Sequence, residues 1–132
     1  MKISTKGRYA LRVMIDIATN SNGEYISVKD ISTRQNISKK YLEQIMTMLS
    51  KANLIETTRG NVGGYRLTKT PEEYKIGDIL RATEGELAPI DCLVDEKFCN
   101  RKNECKTFAF LEGLDNVINQ YIDSITLSDL LN

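Results

Sequence analysis

Residues 38–55, SKKYLEQIMTMLSKANLI, constrain the fold more than any other stretch, because a capped amphipathic helix is followed at once by strand and turn residues. Ser38 offers a hydroxyl to an orphan backbone N–H at the helix start. Leu42, Ile45, Met46 and Leu49 recur at helical spacing and predict a core-facing stripe. The other face carries Lys39, Lys40, Glu43, Gln44 and Thr47. Alone, this is the pattern of any surface helix with a solvated polar side. Its neighbours decide what it is.

Upstream, Ser4 or Thr5 can cap a first helix with Tyr9, Val13, Met14 and Ile17 on its apolar face and Lys6, Arg8 and Arg12 on its polar face. Asn20 to Gly23 ends it. Ser27 and Asp30 fit a capping pattern that opens a short second helix burying Val28 and Ile31. Asn36–Ile37–Ser38 then makes a tight connection, so the second and third helices form a helix-turn-helix. Downstream, Leu54 to Thr58 and Tyr65 to Thr68 are β-prone and flank Arg59–Gly60–Asn61–Val62–Gly63–Gly64, a turn suited to a hairpin. The glycines serve the turn, with Arg59 and Arg66 on either side; no phosphate-loop pattern is present. The predicted fold class is mainly α, an α+β winged helix-turn-helix. Pro71 ends the wing, and Ile76 to Glu84 predicts a further short helix with Ile76, Ile79 and Leu80 apolar.

A net charge of zero hides an asymmetry that bears on partners. Residues 1–70 hold 12 Lys and Arg against 5 Asp and Glu, whereas residues 71–132 hold 6 against 13. The basic half suits a polyanion such as double-stranded DNA, and the acidic half would be held away from it. There is no His, which excludes Ser–His and Cys–His catalysis and leaves an enzyme unexpected. No apolar run approaches a membrane span, and the N-terminal residues lack a signal-peptide pattern, so a cytoplasmic setting is expected.

Residues 85–105 are polar, aperiodic and hold Cys92, Cys99 and Cys105. Thiolates so clustered suit soft metals and iron–sulfur clusters, with unremarkable free thiols as the plain alternative. From Lys106 to Ser124 a long helix is expected. Leu111, Leu114, Ile118, Tyr121 and Ile125 are spaced as a heptad seam, widened by Phe108, Phe110, Val117 and Ile122. Such a seam after a complete winged helix favours a dimer over packing within one chain. Thr126 can cap a last turn with Leu127, Leu130 and Leu131. The expected organisation is a DNA-binding domain over 1–84, a cysteine-bearing loop over 85–105 and a dimerisation helix over 106–132.

In a helix-turn-helix, residues early in the second helix reach base edges in the major groove. Glu43 can accept from a cytosine amino group, and Gln44 can pair with adenine. Lys39 and Lys40 suit phosphates, and Arg59 at the wing tip suits a narrow minor groove.

The segments MKISTKGRYALRVMIDIA, KKYLEQIMTMLSKANLI, TTRGNVGGYRLTK and ITLSDLL together resemble the Rrf-two family of bacterial winged-helix regulators, and within it most the iron–sulfur-binding members. The resemblance implies a homodimer on a palindromic operator, with the C-terminal helices crossing at the dimer interface. It matches Lys40, Glu43, Gln44 and Arg59 to DNA-reading positions, and Cys92, Cys99 and Cys105 to the ligands of a 2Fe–2S cluster. The fourth ligand it implies, a His three residues after the last Cys, is Phe108 here. An N-terminal carboxylate used by nitric-oxide-sensing relatives is Arg8 here. Asp91, Asp95, Glu96, Glu104 or a small exogenous ligand remain as candidates, and zinc on three thiolates is a further alternative. The rivals are a cluster-free family regulator of cysteine or redox metabolism, acting through free thiols or a partner enzyme, and an iron–sulfur electron carrier.

Overall fold

A computed structural model describes residues 2–58, 63–94, 101 and 103–132. Serine caps set the starts of the first three helices. Ser4, Ser27 and Ser38 accept from the N–H of Gly7, Asp30 and Tyr41 and open α1 (Thr5–Asn20), α2 (Val28–Gln35) and α3 (Lys39–Lys51). Asn36 closes α2 in the left-handed region at φ 54, which lets Ile37 turn inward and Ser38 begin α3. Then follow β1 (Ile55–Thr57), β2 (Tyr65–Leu67), α4 (Ile76–Glu84) and α5 (Phe108–Ser124). Short 3₁₀ turns lie at Pro71–Glu73, Asp91–Leu93 and Ser128–Leu130.

β1 and β2 pair antiparallel with Glu56 opposite Arg66. The hairpin has a third partner that periodicity did not disclose. Ile26, just before the Ser27 cap, bridges Tyr65 through both backbone bonds, at 2.9 and 2.8 Å. The core lies between α1, α3 and α4, where Val13, Met14, Ile17, Leu42, Ile45, Met46, Leu49, Ile79 and Leu80 are buried. Asp16 is buried among them on α1, and its carboxylate accepts both arms of Arg34 at 3.0 and 2.7 Å and Gln35 at 2.8 Å. That charge-assisted fork fixes α2 against α1.

α5 departs from the expected helix. It begins at Phe108 rather than Lys106, and Ile125 lies beyond it in extended backbone. The heptad seam does not face one way. Ile122 and Ile125 pack against the chain's own core, and Leu111 and Ile118 are half-buried. The outward apolar stripe is instead Phe110, Leu114, Val117 and Tyr121, exposed by 71, 38, 61 and 67%. The rotation has a polar cause. Arg81 of α4 donates to Asp123 at 2.9 and 3.0 Å and to Asn119 at 2.8 Å, which turns that side of α5 inward. Among the described residues no helix is long and apolar enough to cross a membrane.

Candidate nucleic-acid interface

α3 buries Leu42, Ile45, Met46 and Leu49, so the helical repeat turns Lys39, Lys40, Glu43, Gln44 and Thr47 outward, and all five are exposed. Thr47 spends its hydroxyl on the Glu43 carbonyl at 2.9 Å. The side chains of Lys39, Lys40 and Gln44 hold no hydrogen bond or ion pair among the described residues. Two cations and an amide are thus left to an outside partner. Arg59 lies outside the described residues. Arg66, the other arginine flanking the turn, is used internally: it pairs with Glu56 and stacks over Tyr25 at 4.5 Å.

A groove of about 330 Å³ runs beside this face, where the start of α2, the start of α3 and the base of the wing meet. Lys29, Lys39, Glu43, Gly64 and Tyr65 line it. Burial, and secondly the Glu43 carboxylate, raise the Tyr65 phenol above its ordinary range, so it stays a neutral donor and acceptor. Sequence periodicity missed Lys29 and Tyr65 as neighbours of Glu43, because they come from two other elements.

The cysteine-bearing stretch reaches the N-terminus of α5. Cys92 is half-buried in the turn Asp91–Leu93, and Cys105 is exposed just before α5. The Thr107 hydroxyl, 3.2 Å from the Cys105 sulfur, holds that thiol below its ordinary range, helped by the backbone N–H groups of Thr107 and Phe108 and the charge of Arg101. A stabilised thiolate fits a soft metal, a cluster or redox chemistry. Cys99, Asp95 and Glu96 lie outside the described residues. Among the described residues no group of three Cys, Asp or Glu gathers to hold a metal ion. Asp91 and Glu104 are exposed, and Phe108 is the first residue of α5.

A helix-turn-helix, a hairpin directly after it and an exposed polar face on the second helix define a winged-helix DNA-binding protein. The profile of the family described as "Rrf2: Iron-dependent Transcriptional regulator" matches residues 3–132. The chain belongs to the Rrf2 family of DNA-binding transcriptional regulators, whose named members are regulators rather than enzymes. It is 38% identical over 130 residues to the HTH-type transcriptional regulator CymR of Bacillus subtilis, covering 98% of this chain and 89% of that protein. To the HTH-type transcriptional regulator IscR of Aliivibrio salmonicida it is 36% identical over 131 residues, covering 99% and 77%. The solved structure of CymR, the global cysteine regulator of B. subtilis, superposes with a TM-score of 0.77 at 34% identity, covering 99% of this chain and 96% of that one.

Proposed function

We propose that this chain is a cytoplasmic, homodimeric transcription regulator that reads a palindromic operator and responds to iron–sulfur status through a 2Fe–2S cluster. The observation that carries the DNA reading is the α3 face, where Lys39, Lys40 and Gln44 stand exposed and, among the described residues, without internal partners. In this reading Lys39 and Lys40 bind phosphates, Glu43 and Gln44 read bases, and Arg59 enters the minor groove. Residues 1–84 form the DNA-binding part, 85–105 the sensing loop and 106–132 the dimer contact. The stripe of Phe110, Leu114, Val117 and Tyr121 supports that contact.

Cys92, Cys99 and Cys105 would hold the cluster, and Cys105 supports this through its stabilised thiolate. When bound, the cluster supplies a redox-sensitive, labile group. A second reading keeps the DNA binding and drops the cluster, with Cys105 as a redox-active thiol. Phe108 at the position where a fourth ligand is implied favours it, as does the likeness to CymR. Anaerobic reconstitution with iron and sulfide separates the two. A visible absorption band that Cys→Ala changes at 92, 99 and 105 abolish supports the cluster; its absence leaves the thiol reading. DNA binding is tested by titrating duplex at several salt concentrations, where affinity should fall steeply with salt. Glu43→Ala should relax base preference more than it weakens binding to random duplex. A flat salt response would refute DNA binding and favour an electron carrier.

A further inference from the structure

Tyr74 lies between the turn Pro71–Glu73 and α4, and it is 0% exposed. A buried phenol brings one donor and two acceptor sites that need partners. Here the hydroxyl donates to the Leu54 carbonyl at 2.6 Å, where α3 hands over to β1. It accepts the N–H groups of Thr68 at 2.9 Å and Lys69 at 3.3 Å, where β2 ends. The Thr68 hydroxyl, 3.1 Å away, donates to the Asn53 carbonyl at 2.9 Å and doubles the tie. One side chain thus holds together the exit of α3 and both inner ends of the wing. Each wing strand has only three residues, and so short a hairpin is marginal alone. An apolar ring would fill the same space but could not fix the strands against α3.

The backbone of the same residue reaches the other way. The Tyr74 carbonyl accepts the N–H of Leu127 at 3.0 Å, and Leu127 is itself fully buried. Lys75 and Thr126 form an isolated bridge, and Ile76 donates to Ile125 at 2.9 Å. With the Arg81–Asp123 pair, these bonds lock the C-terminal end of α5 to the segment that anchors the wing. The N-terminal half of α5 contains no buried residue and begins three residues after Cys105.

We propose that Tyr74 is a positioning residue for DNA binding: its hydroxyl sets the wing against α3, and its carbonyl ties that setting to the segment following α5. The inference rests on the reading that α3 and the wing contact DNA. A displacement of α5 then has a hydrogen-bonded route to the wing through Tyr74, beside the packing of Ile122 and Ile125 on the core.

The test uses the full chain and a duplex selected by the wild type from a random pool. Tyr74→Phe keeps the ring and removes the hydroxyl. Its affinity should fall about tenfold, and the slope of log K against log salt should become shallower by about one unit as the wing's cationic contact, Arg59 in this reading, is lost. Ile79→Val, a core change that lowers stability but removes none of the joint's hydrogen bonds, should keep the wild-type slope. Thr68→Val loosens the joint from an exposed position and should move the slope in the same direction, which keeps the test open if Tyr74→Phe folds poorly. A wild-type slope in both Tyr74→Phe and Thr68→Val, or an equal slope change in Ile79→Val, overturns the inference and leaves the DNA reading intact. A wild type without salt-dependent binding overturns both.

Discussion

Gly64→Ala tests why the wing turn ends in glycine. Gly64 is buried and is not among the positive-φ glycines, so an L residue suits its backbone. If the glycine served turn flexibility alone, alanine would stabilise by about 0.4–1 kcal/mol through the unfolded chain. The structure predicts the opposite sign. A Cβ here would stand 2.6 Å from the Ile26 carbonyl oxygen and 2.8 Å from its carbon, both backbone atoms. A carbon–oxygen contact relaxes to about 3.3 Å, so the two strands must part by roughly 0.7 Å. The Ile26–Tyr65 bonds of 2.9 and 2.8 Å would stretch to the edge of hydrogen bonding. Two such bonds are worth about 1–1.5 kcal/mol each, more when the groups stay buried. After the entropic gain, the net loss is about 2 kcal/mol. Urea unfolding followed by circular dichroism reads it as a lower midpoint at unchanged m-value. An unchanged or higher midpoint would refute the close-approach argument. Because Ile26 precedes the α2 cap, the same variant should also loosen the groove beside Glu43 and weaken duplex binding below its melting temperature.

Other outcomes follow from the same structure. The Asp123 carboxyl is held below its unfolded value of 3.8 by its hydrogen bonds from Arg81. Its stabilisation is therefore present in full above 3.8 and lost as pH falls through the lower folded value. Asp123→Asn should cost about 1 kcal/mol near neutral pH, a figure kept small by partial exposure of the pair, and urea midpoints of the two proteins should converge in acid. In the proposed homodimer, serine at both Phe110 and Val117 should leave the melting curve of the single-chain fold almost unchanged while sedimentation shifts from dimer to monomer; a wild type that sediments as a monomer would refute the dimer, and a dimer that survives the change would place the interface elsewhere. Alkylation of Cys105 should proceed at lower pH than for an ordinary thiol, and Thr107→Val should move that profile upward, since the Thr107 hydroxyl is the largest cause of the shift. Mass spectrometry of the alkylated peptide reads the rate, and an unmoved profile would exclude Thr107 as the cause.

Local chemistry carried the elements of this fold. Serine caps and apolar periodicity marked α1, α2 and α3, and α4 runs from Ile76 to Glu84 as its pattern predicts. The strands fell where β-prone residues flank the glycine turn. These signals are legible because capping and amphipathic spacing act within one or two turns of chain. The outward face of α3 was legible for the same reason, since burying Leu42, Ile45, Met46 and Leu49 leaves Lys39, Lys40, Glu43 and Gln44 no other direction.

Tertiary structure alone decided what depends on partners distant in sequence. The heptad spacing in α5 does not say which side faces inward; Arg81, 42 residues before Asp123, turns Ile122 and Ile125 to the core and leaves Phe110, Leu114, Val117 and Tyr121 outside. Arg66 reads as a second wing cation until Glu56 and Tyr25 are seen to occupy it. Gly64 reads as turn chemistry until Ile26 is found against it. Tyr74 carries no sequence signal, because its role exists only where Leu54, Thr68 and Leu127 converge. The sequence determined the helices, the hairpin and the polar face of α3 through short-range capping and periodicity. The tertiary structure determined the facing of α5 and the joint that holds the wing, because both are set by buried polar contacts between residues far apart in the chain.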